Sequence, residues 1–284
     1  MAGVCTEKFL AKKRKEAEDN ILSARIRCFM RFTFGDNWLQ YSSHLEEGQL
    51  SEARKSLQRL LQREHLDTLT FLDIGTGSGL FSIAAAQLGA KRVVAVDRDE
   101  NCLLAMRHNI ERFLEPTLRN TIEVHRGDIL QPETCQFGEC TIVYAWGSLH
   151  HTGAMWQALE NAMMRCAVGG HFITAIYNHT FLSPLWLRIK QLYNHAPSLA
   201  QIAMVSTLWA ARGVGRAISG KSPFQAERGM RTWYDAIDWL GGLPYEYASP
   251  ERVMRFVTAQ GFQSLRVVRT QRSGCNEFVF LKTG

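Results

Sequence analysis

From Phe71 onward, short apolar runs alternate with longer segments of helical period. Phe71-Leu72-Asp73-Ile74, Val93-Val94-Ala95-Val96, Ile122-Glu123-Val124-His125, Thr141 to Ala145 and Phe172 to Tyr177 read as five strands. Brief, nearly continuous apolar runs bounded by turn residues are the mark of strands buried on both faces. Helices are predicted between them, ending at Gly89, spanning Asn101 to Phe113, and running from Met155 to Ala167 before Gly169-Gly170. Such alternation predicts an α/β, doubly wound parallel sheet with helices on both faces. After Tyr177 the alternation stops. Residues 178–247, with Trp186, Trp209, Trp233 and Trp239, read as inserted helices that form a lid or a packed subdomain. Ser249-Pro250-Glu251 then starts a last helix, with a capping residue, a proline and an early acid, and Gly261 ends it. Leu265 to Thr270 and Glu277 to Leu281 complete seven strands.

Upstream, residues 6–20 predict a charged helix and Ser51 to Leu66 an amphipathic one, with Leu57, Leu60 and Leu61 on one face. The aromatic stretch Phe29 to Tyr41 between them either packs on the main domain or roofs its site. The predicted division is a helical segment, 1–66, covering the site, and a domain, 67–284, carrying the insertion.

Strand one ends in Asp73-Ile74-Gly75-Thr76-Gly77-Ser78-Gly79-Leu80. An acid followed by alternating glycines is how a buried strand turns sharply into a helix, and glycine lets a ligand approach without a Cβ in its path. Asp97, 22 residues after Gly75, ends strand two, where a carboxylate can accept from both hydroxyls of a ribose. A nucleoside-type cofactor follows. A dinucleotide site wants G-x-G-x-x-G, and Leu80 stands where that pattern needs glycine. No Gly-Lys-Ser/Thr follows, and Asp73 suits a cation better than a pyrophosphate. On these residues the chain resembles a class I S-adenosylmethionine-dependent methyltransferase, whose first motif is E/D-x-G-x-G-x-G. The resemblance implies a Rossmann-like seven-stranded methyltransferase sheet and S-adenosyl-L-methionine as cofactor.

Cofactor contacts are then expected from Asp73, Gly75, Thr76, Gly77, Asp97 and Arg98, with Trp146 after strand four. Asp128 would meet the adenine amino group and Ile129 the ring; read alone, Asp128 is a helix cap. His150 and His151 follow strand four, where reacting groups gather in doubly wound sheets, and histidine can act as a general base. Both could instead orient the loop. The slot that carries [DN]-P-P-[YFW] in base N-methylases reads Ala145-Trp146-Gly147-Ser148, and no Pro-Cys occurs for pyrimidine C5 chemistry.

A wider resemblance runs from Phe34 onward. Trp146-Gly147-Ser148-Leu149-His150-His151-Thr152-Gly153-Ala154-Met155-Trp156, Ala175 to Asn178, Arg228-Gly229-Met230, Asp238 to Gly242 and Gly274 to Phe278 look like a bacterial methyltransferase family, with Tyr234 where that family leads one to expect histidine. That family is similar to quinone-ring O-methyltransferases and to the synthases of hydroxy-fatty-acid methyl esters used as quorum-sensing signals. It implies O-methylation of a small apolar metabolite: a 3-hydroxy fatty acid carboxylate or, alternatively, a phenol or quinol. Asn178, Tyr177, Arg228 and Tyr234 are the expected substrate contacts, and His150 and His151 the catalytic candidates. A cofactor-binding regulator without catalysis is the remaining alternative.

Composition narrows this little further. With 284 residues, 46% hydrophobic and 21% charged, the chain can bury a sizeable core. The net charge is +6, and the densest basic run is Lys12-Lys13-Arg14-Lys15, but Glu16, Glu18 and Asp19 follow at once, so the run reads as a solvated helix face. Nucleic acid is therefore disfavoured, and membrane contact would be transient and at the surface. Seven scattered cysteines without C-x-x-C, and no zinc set, predict reduced thiols, no metal and a cytoplasmic protein. Neither a leader nor a membrane span is expected.

Overall fold

The computed structural model describes residues 32, 34–218, 220, 232–271 and 273–284. Helices α1 (Phe34–Ser42) and α2 (Glu47–Leu61) precede β1 (Thr70–Ile74). Next come α3 (Leu80–Gln87), β2 (Arg92–Asp97), α4 (Glu100–Phe113), α5 (Pro116–Arg119), β3 (Ile122–Arg126), β4 (Cys140–Trp146), α6 (Met155–Met163) and β5 (Cys166–Tyr177). Helices α7 (Ser183–His195), α8 (Ser198–Ile218) and α9 (Thr232–Gly241) form the insertion, followed by α10 (Pro250–Thr258), β6 (Phe262–Val268) and β7 (Cys275–Lys282).

The sheet has the order β3-β2-β1-β4-β5-β7-β6. Strands β1 to β5 pair in parallel, and β7 enters antiparallel between β5 and β6. The chain therefore reverses its direction of winding between β1 and β4. In such sheets a ligand crevice opens at that switch, beyond the carboxyl ends of the strands.

Capping residues set the helix starts. The Asp99 carboxylate accepts from Asn101 N–H at 2.9 Å to open α4, and Ser249 Oγ accepts from Arg252 N–H at 3.3 Å to open α10. On one sheet face, Leu50 and Leu57 of α2 share a core with Ile83 of α3, Met106 of α4 and Phe71 of β1. On the other, Leu159 of α6 and Val253 of α10 pack on Val143 and Phe172. Helix α2 is thus a layer of the main domain, whereas the sequence reading grouped it with a cover. It also begins and ends earlier than Ser51–Leu66, because Glu46 and Gln49 form a reciprocal cap and Gln62 turns left-handed.

A second correction concerns Gly169-Gly170. The helix before them ends at Met163, and the glycines lie inside β5, beside the bulge between Cys140 and Ile142 of β4. A Cβ on Gly170 would sit 2.8 Å from the carbonyl oxygens of both Ala167 and Thr141, so only glycine lets the strands approach here. The expected helix 6–20 lies outside the described residues. No described helix is long and apolar enough to cross a membrane.

Candidate active site

The crevice at the β1/β4 switch opens into one cavity of about 1000 Å³. Its first half is built by the ends of β1 and β2. Asp73, buried at the end of β1, accepts through one oxygen, Oδ2, from the hydroxyls of Thr76 (2.9 Å) and Ser82 (2.6 Å). Burial pushes its carboxyl up to about 6 against the pull of the Ser82 and Thr76 hydroxyls, and the charge of Asp97 adds to the rise. Asp97 accepts from Gly77 N–H at 3.0 Å through Oδ2 and from Asp99 N–H at 3.0 Å through Oδ1; burial raises its pKa too. These backbone donors fix the carboxylate while leaving lone pairs on both oxygens for a diol.

Of the two purposes expected of the glycines, the turn is the one the structure shows. Gly75 and Gly77 have φ of +73° and +56°, which satisfies the turn. The space their Cβ atoms would fill, however, is taken by protein. Ser148 lies 2.4 Å from that point at Gly75, and the Trp38 ring 3.0 Å from it at Gly77. Gly77 does not line the cavity; Gly75 and Thr76 do.

The cavity continues past Arg98, Asp128, Ile129 and Trp146, which all line it. Asp128 caps no helix: its Oδ1 accepts from Leu130 N–H at 3.0 Å within a turn, the next short helix starts at Pro132, and Oδ2 lies 3.6 Å from Arg98. Trp146 stacks on Tyr144 with rings 9° from parallel. Ser78 Oγ, at the glycine turn, is buried without a hydrogen-bond partner among the described residues. An orphaned hydroxyl and two fixed carboxylates along one wall fit a cofactor with a cationic end and a ribose.

The second half is aromatic. Helix α1 roofs it, with Phe34 4.8 Å from the His151 ring and Trp38 over the glycine turn. Asp99 accepts from Gly35 N–H at 3.1 Å, and Asp238 of α9 from Asn37 Nδ2 at 2.6 Å, so α1 is fastened to both halves. His150 is fully buried against the Tyr177 ring at 4.0 Å. Burial, then His151 and Lys190, hold its pKa well below the usual histidine range. His151 Nδ1 lies 2.7 Å from the Pro244 carbonyl oxygen. A carbonyl can only accept, so Nδ1 carries the proton and Nε2 keeps the lone pair. Burial and Lys190 push this ring down to about 3, so it is neutral at physiological pH.

Tyr177 lines the cavity, but Asn178 and Tyr234 do not. Asn178 ties the end of β5 to the β6–β7 hairpin: its Nδ2 donates to Thr270 O, and its Oδ1 accepts from Asn276. Tyr234 turns toward α1, against Tyr41 and His44. Arg228 lies outside the described residues.

Sequence reasoning missed the charged groups of the insertion. Lys190 is completely buried, donates to the Trp239 carbonyl, and sits 4.9–5.5 Å from the rings of Tyr177, Trp239 and Tyr245. Burial lowers it to about 7. Burial also raises Asp238, which lines the cavity, to about 8, although the Asn37 hydrogen bond opposes this. Arg212 pairs with Asp235 at 2.5 Å and lies over the Trp239 ring. Helical spacing carried a signal: Lys190 falls four residues after Trp186 and three before Tyr193, on the inward face.

The profile of the ribosomal protein L11 methyltransferase (PrmA) family matches residues 52–143. A ribosomal protein L11 methyltransferase of Staphylococcus aureus (strain bovine RF122 / ET3-1) is 28% identical over 183 residues, 60% of this chain and 56% of that protein. One from Geotalea uraniireducens (strain Rf4) is 51% identical over 47 residues, 16% of this chain and 15% of that protein. The chain thus spans about half the length, or less, of these relatives. Among solved structures, magnesium protoporphyrin IX methyltransferase (ChlM) from Synechocystis PCC 6803 with bound SAH is similar, with a TM-score of 0.56 at 15% identity, covering 92% of this chain and 99% of that one. An O-methyltransferase family protein from Burkholderia thailandensis has a TM-score of 0.53 at 11% identity, covering 88% and 59%. The fold is that of the class I S-adenosylmethionine-dependent methyltransferases.

Proposed function

We propose that the chain uses S-adenosylmethionine to methylate an oxygen of a small, largely apolar metabolite, and that this oxygen is a phenol or quinol hydroxyl. One observation carries the reading: the paired carboxylates Asp73 and Asp97 and the neutral His151 face a single cavity whose far walls are Phe34, Tyr177, Trp209 and Trp239. S-adenosylmethionine would supply an electrophilic methyl on a positively charged sulfur. Asp73, with both hydroxyl donors on Oδ2, keeps Oδ1 for the ammonium, and Asp97 holds the ribose diol. Helix α1 and the insertion exclude water and align the acceptor, which is most of what an in-line displacement needs.

The charges at the acceptor end decide between the two oxygen nucleophiles. A carboxylate is ionised at neutral pH and wants a free cation to hold it. Among the described residues, Arg212 is paired with Asp235, Arg216, which also lines the cavity, is likewise engaged, Lys190 stands behind the aromatic wall, and Asn178 and Tyr234 face elsewhere. A phenol near pKa 10 instead needs a group to accept its proton. His151 Nε2 is such an acceptor, taking the proton as the O–CH3 bond forms and returning it to solvent. A ring lowered to about 3 is a weak sink by itself. Its work is to orient the hydroxyl and receive the proton late.

The 3-hydroxy fatty acid carboxylate stays as a second reading, because Arg212 does line the cavity and could exchange Asp235 for a substrate anion. The names of the relatives raise a protein acceptor, which would have to reach a site roofed by α1 and α9. Methyl transfer from labelled cofactor, offered prenylated phenols, 3-hydroxy fatty acids and ribosomal protein L11 in parallel, separates the three. Base-stable, solvent-extractable label supports the phenol. Base-labile label dependent on the fatty acid moves the assignment to ester formation, and label only in protein overturns both.

A further inference from the structure

Fifteen large apolar side chains stand exposed among the described residues, and eight of them fall between Phe181 and Ile218. Phe181 is 89% exposed, Leu192 64%, Leu199 82% and Ile218 82%. They are ordered along the helices. On α8, Leu199, Ile202, Ser206, Ala210, Val214 and Ile218 recur every three or four residues, one stripe along a helix roughly 30 Å long. On α7, Leu185, Arg188 and Leu192 share the outer face. The inner faces are occupied: Tyr193 and Val205 pack on Ala236 and Leu240 of α9.

The charge pattern is as unusual as the apolar one. No aspartate or glutamate occurs between Glu160 and Glu227, whereas Arg188, Lys190, Arg212 and Arg216 lie within 181–218. Lys190 is buried and Arg212 is paired, but exposed Arg188 sits between Leu185 and Leu192 on the apolar face. We propose that the outer face of α7 and α8 docks on an anionic lipid bilayer, lying in its interface. An acid-free, apolar surface with a cation among its leucines complements anionic headgroups and the acyl boundary beneath them. A second copy of the chain is a poorer occupant, since a two-fold contact would set this face against itself with no acid to meet Arg188. No described helix qualifies as a span, which leaves the interfacial position.

The docked face also has a use. Trp209, Arg212, Gly213 and Gly215 of α8 line the active-site cavity, so one helix would face lipid on one side and substrate on the other. An acceptor dissolved in the bilayer then has a short route to the site. This last step rests on the apolar-metabolite reading; the docking does not.

The test is co-sedimentation of the full chain with phosphatidylcholine vesicles, with and without phosphatidylglycerol, at low and high salt. Binding is expected with phosphatidylglycerol and should weaken as salt rises. The double variant Leu199→Glu/Ile202→Glu should partition about tenfold or more weakly, with its circular dichroism and S-adenosylmethionine affinity unchanged. Should that variant fail to fold, Arg188→Glu, at an exposed site, must weaken binding to the acidic vesicles. Equal binding to both vesicle types, or variants that bind like the parent chain, overturns the proposal. So does a concentration-dependent dimer that the double variant dissolves. Vesicle binding by a chain that fails to bind S-adenosylmethionine would instead overturn the proposed function and leave the docking intact.

Discussion

The two ends of the cavity hold their buried charges with different kinds of partner. At the cofactor end, Asp73 and Asp97 are fixed by donors close in sequence: Thr76 and Ser82 for one, Gly77 and Asp99 for the other. At the acceptor end, Lys190 meets three aromatic faces and a carbonyl, and Asp238 is held by Asn37, some 200 residues away. Burial raises both carboxyls of the first arrangement too, Asp73 to about 6, but hydrogen-bond donors from a turn that folds locally oppose the rise. The second lets burial move two groups toward neutrality, so that charge there depends on the closed insertion.

Removing a group from each end sharpens the contrast, and the largest effect is expected at the acceptor end. His151→Ala should lower kcat by about 10²–10⁴-fold with cofactor affinity retained, measured by single-turnover methyl transfer and calorimetry. His150→Ala should mainly cost stability, because that ring is buried packing. Equal losses of kcat in both variants would break the distinction.

At the cofactor end, Asp97→Ala strands two backbone N–H groups and the ribose site. Cofactor affinity should fall about 100-fold, with a lowered melting temperature. Affinity should also depend on pH through Asp73. A cationic ligand favours its ionised form, so binding should weaken as pH falls below about 6, and Asp73→Asn should remove that dependence while weakening binding throughout. Titrations of cofactor from pH 5 to 8 read this directly.

The smallest effects are slopes of stability with pH. Asp238, raised from 3.8 to about 8, binds more protons folded than unfolded across that interval, so stability should fall as pH rises through it. Lys190, lowered from 10.5 to about 7, binds fewer protons folded, so stability should rise with pH between those values. The two slopes oppose each other between 7 and 8. Urea midpoints against pH should lose the falling limb in Asp238→Asn and the rising limb in Lys190→Met. Replacing the buried cation by an apolar chain should be neutral or stabilising overall.

The same contrast explains what was legible in the sequence. Strands β1 to β4, helices α3 and α4 and the acids at the strand ends follow from local pattern, since buried runs, caps and the glycine turn are encoded within a few residues. The start of β5 is not legible, because Gly169-Gly170 looks like a stop, whereas it serves the bulge against β4. Asp128 carries two readings: it caps no helix, its Oδ1 closing a turn at Leu130 N–H instead, and it lines the cavity where the adenine is expected. The acceptor end is assembled from α1, the short 3-10 turn at Leu149–His151, α7, α8 and α9, elements more than 100 residues apart in places. Pattern alone does not report which faces of such elements meet. Asn178 and Tyr234 were therefore assigned to the site by resemblance, and in the structure they serve the hairpin and α1.

One small contact has a larger meaning. Asn178 and Ala248 form a single bridge where the insertion leaves the sheet and returns to it, and Ala248 N–H donates to Tyr177 O at 3.0 Å. Departure and return through one stitch make the insertion, α7 to α9, a single excursion from the sheet. Its length can vary without resetting the register of a single strand, while Asn37 and His151, which meet it from outside, stay with the methyl-donor platform.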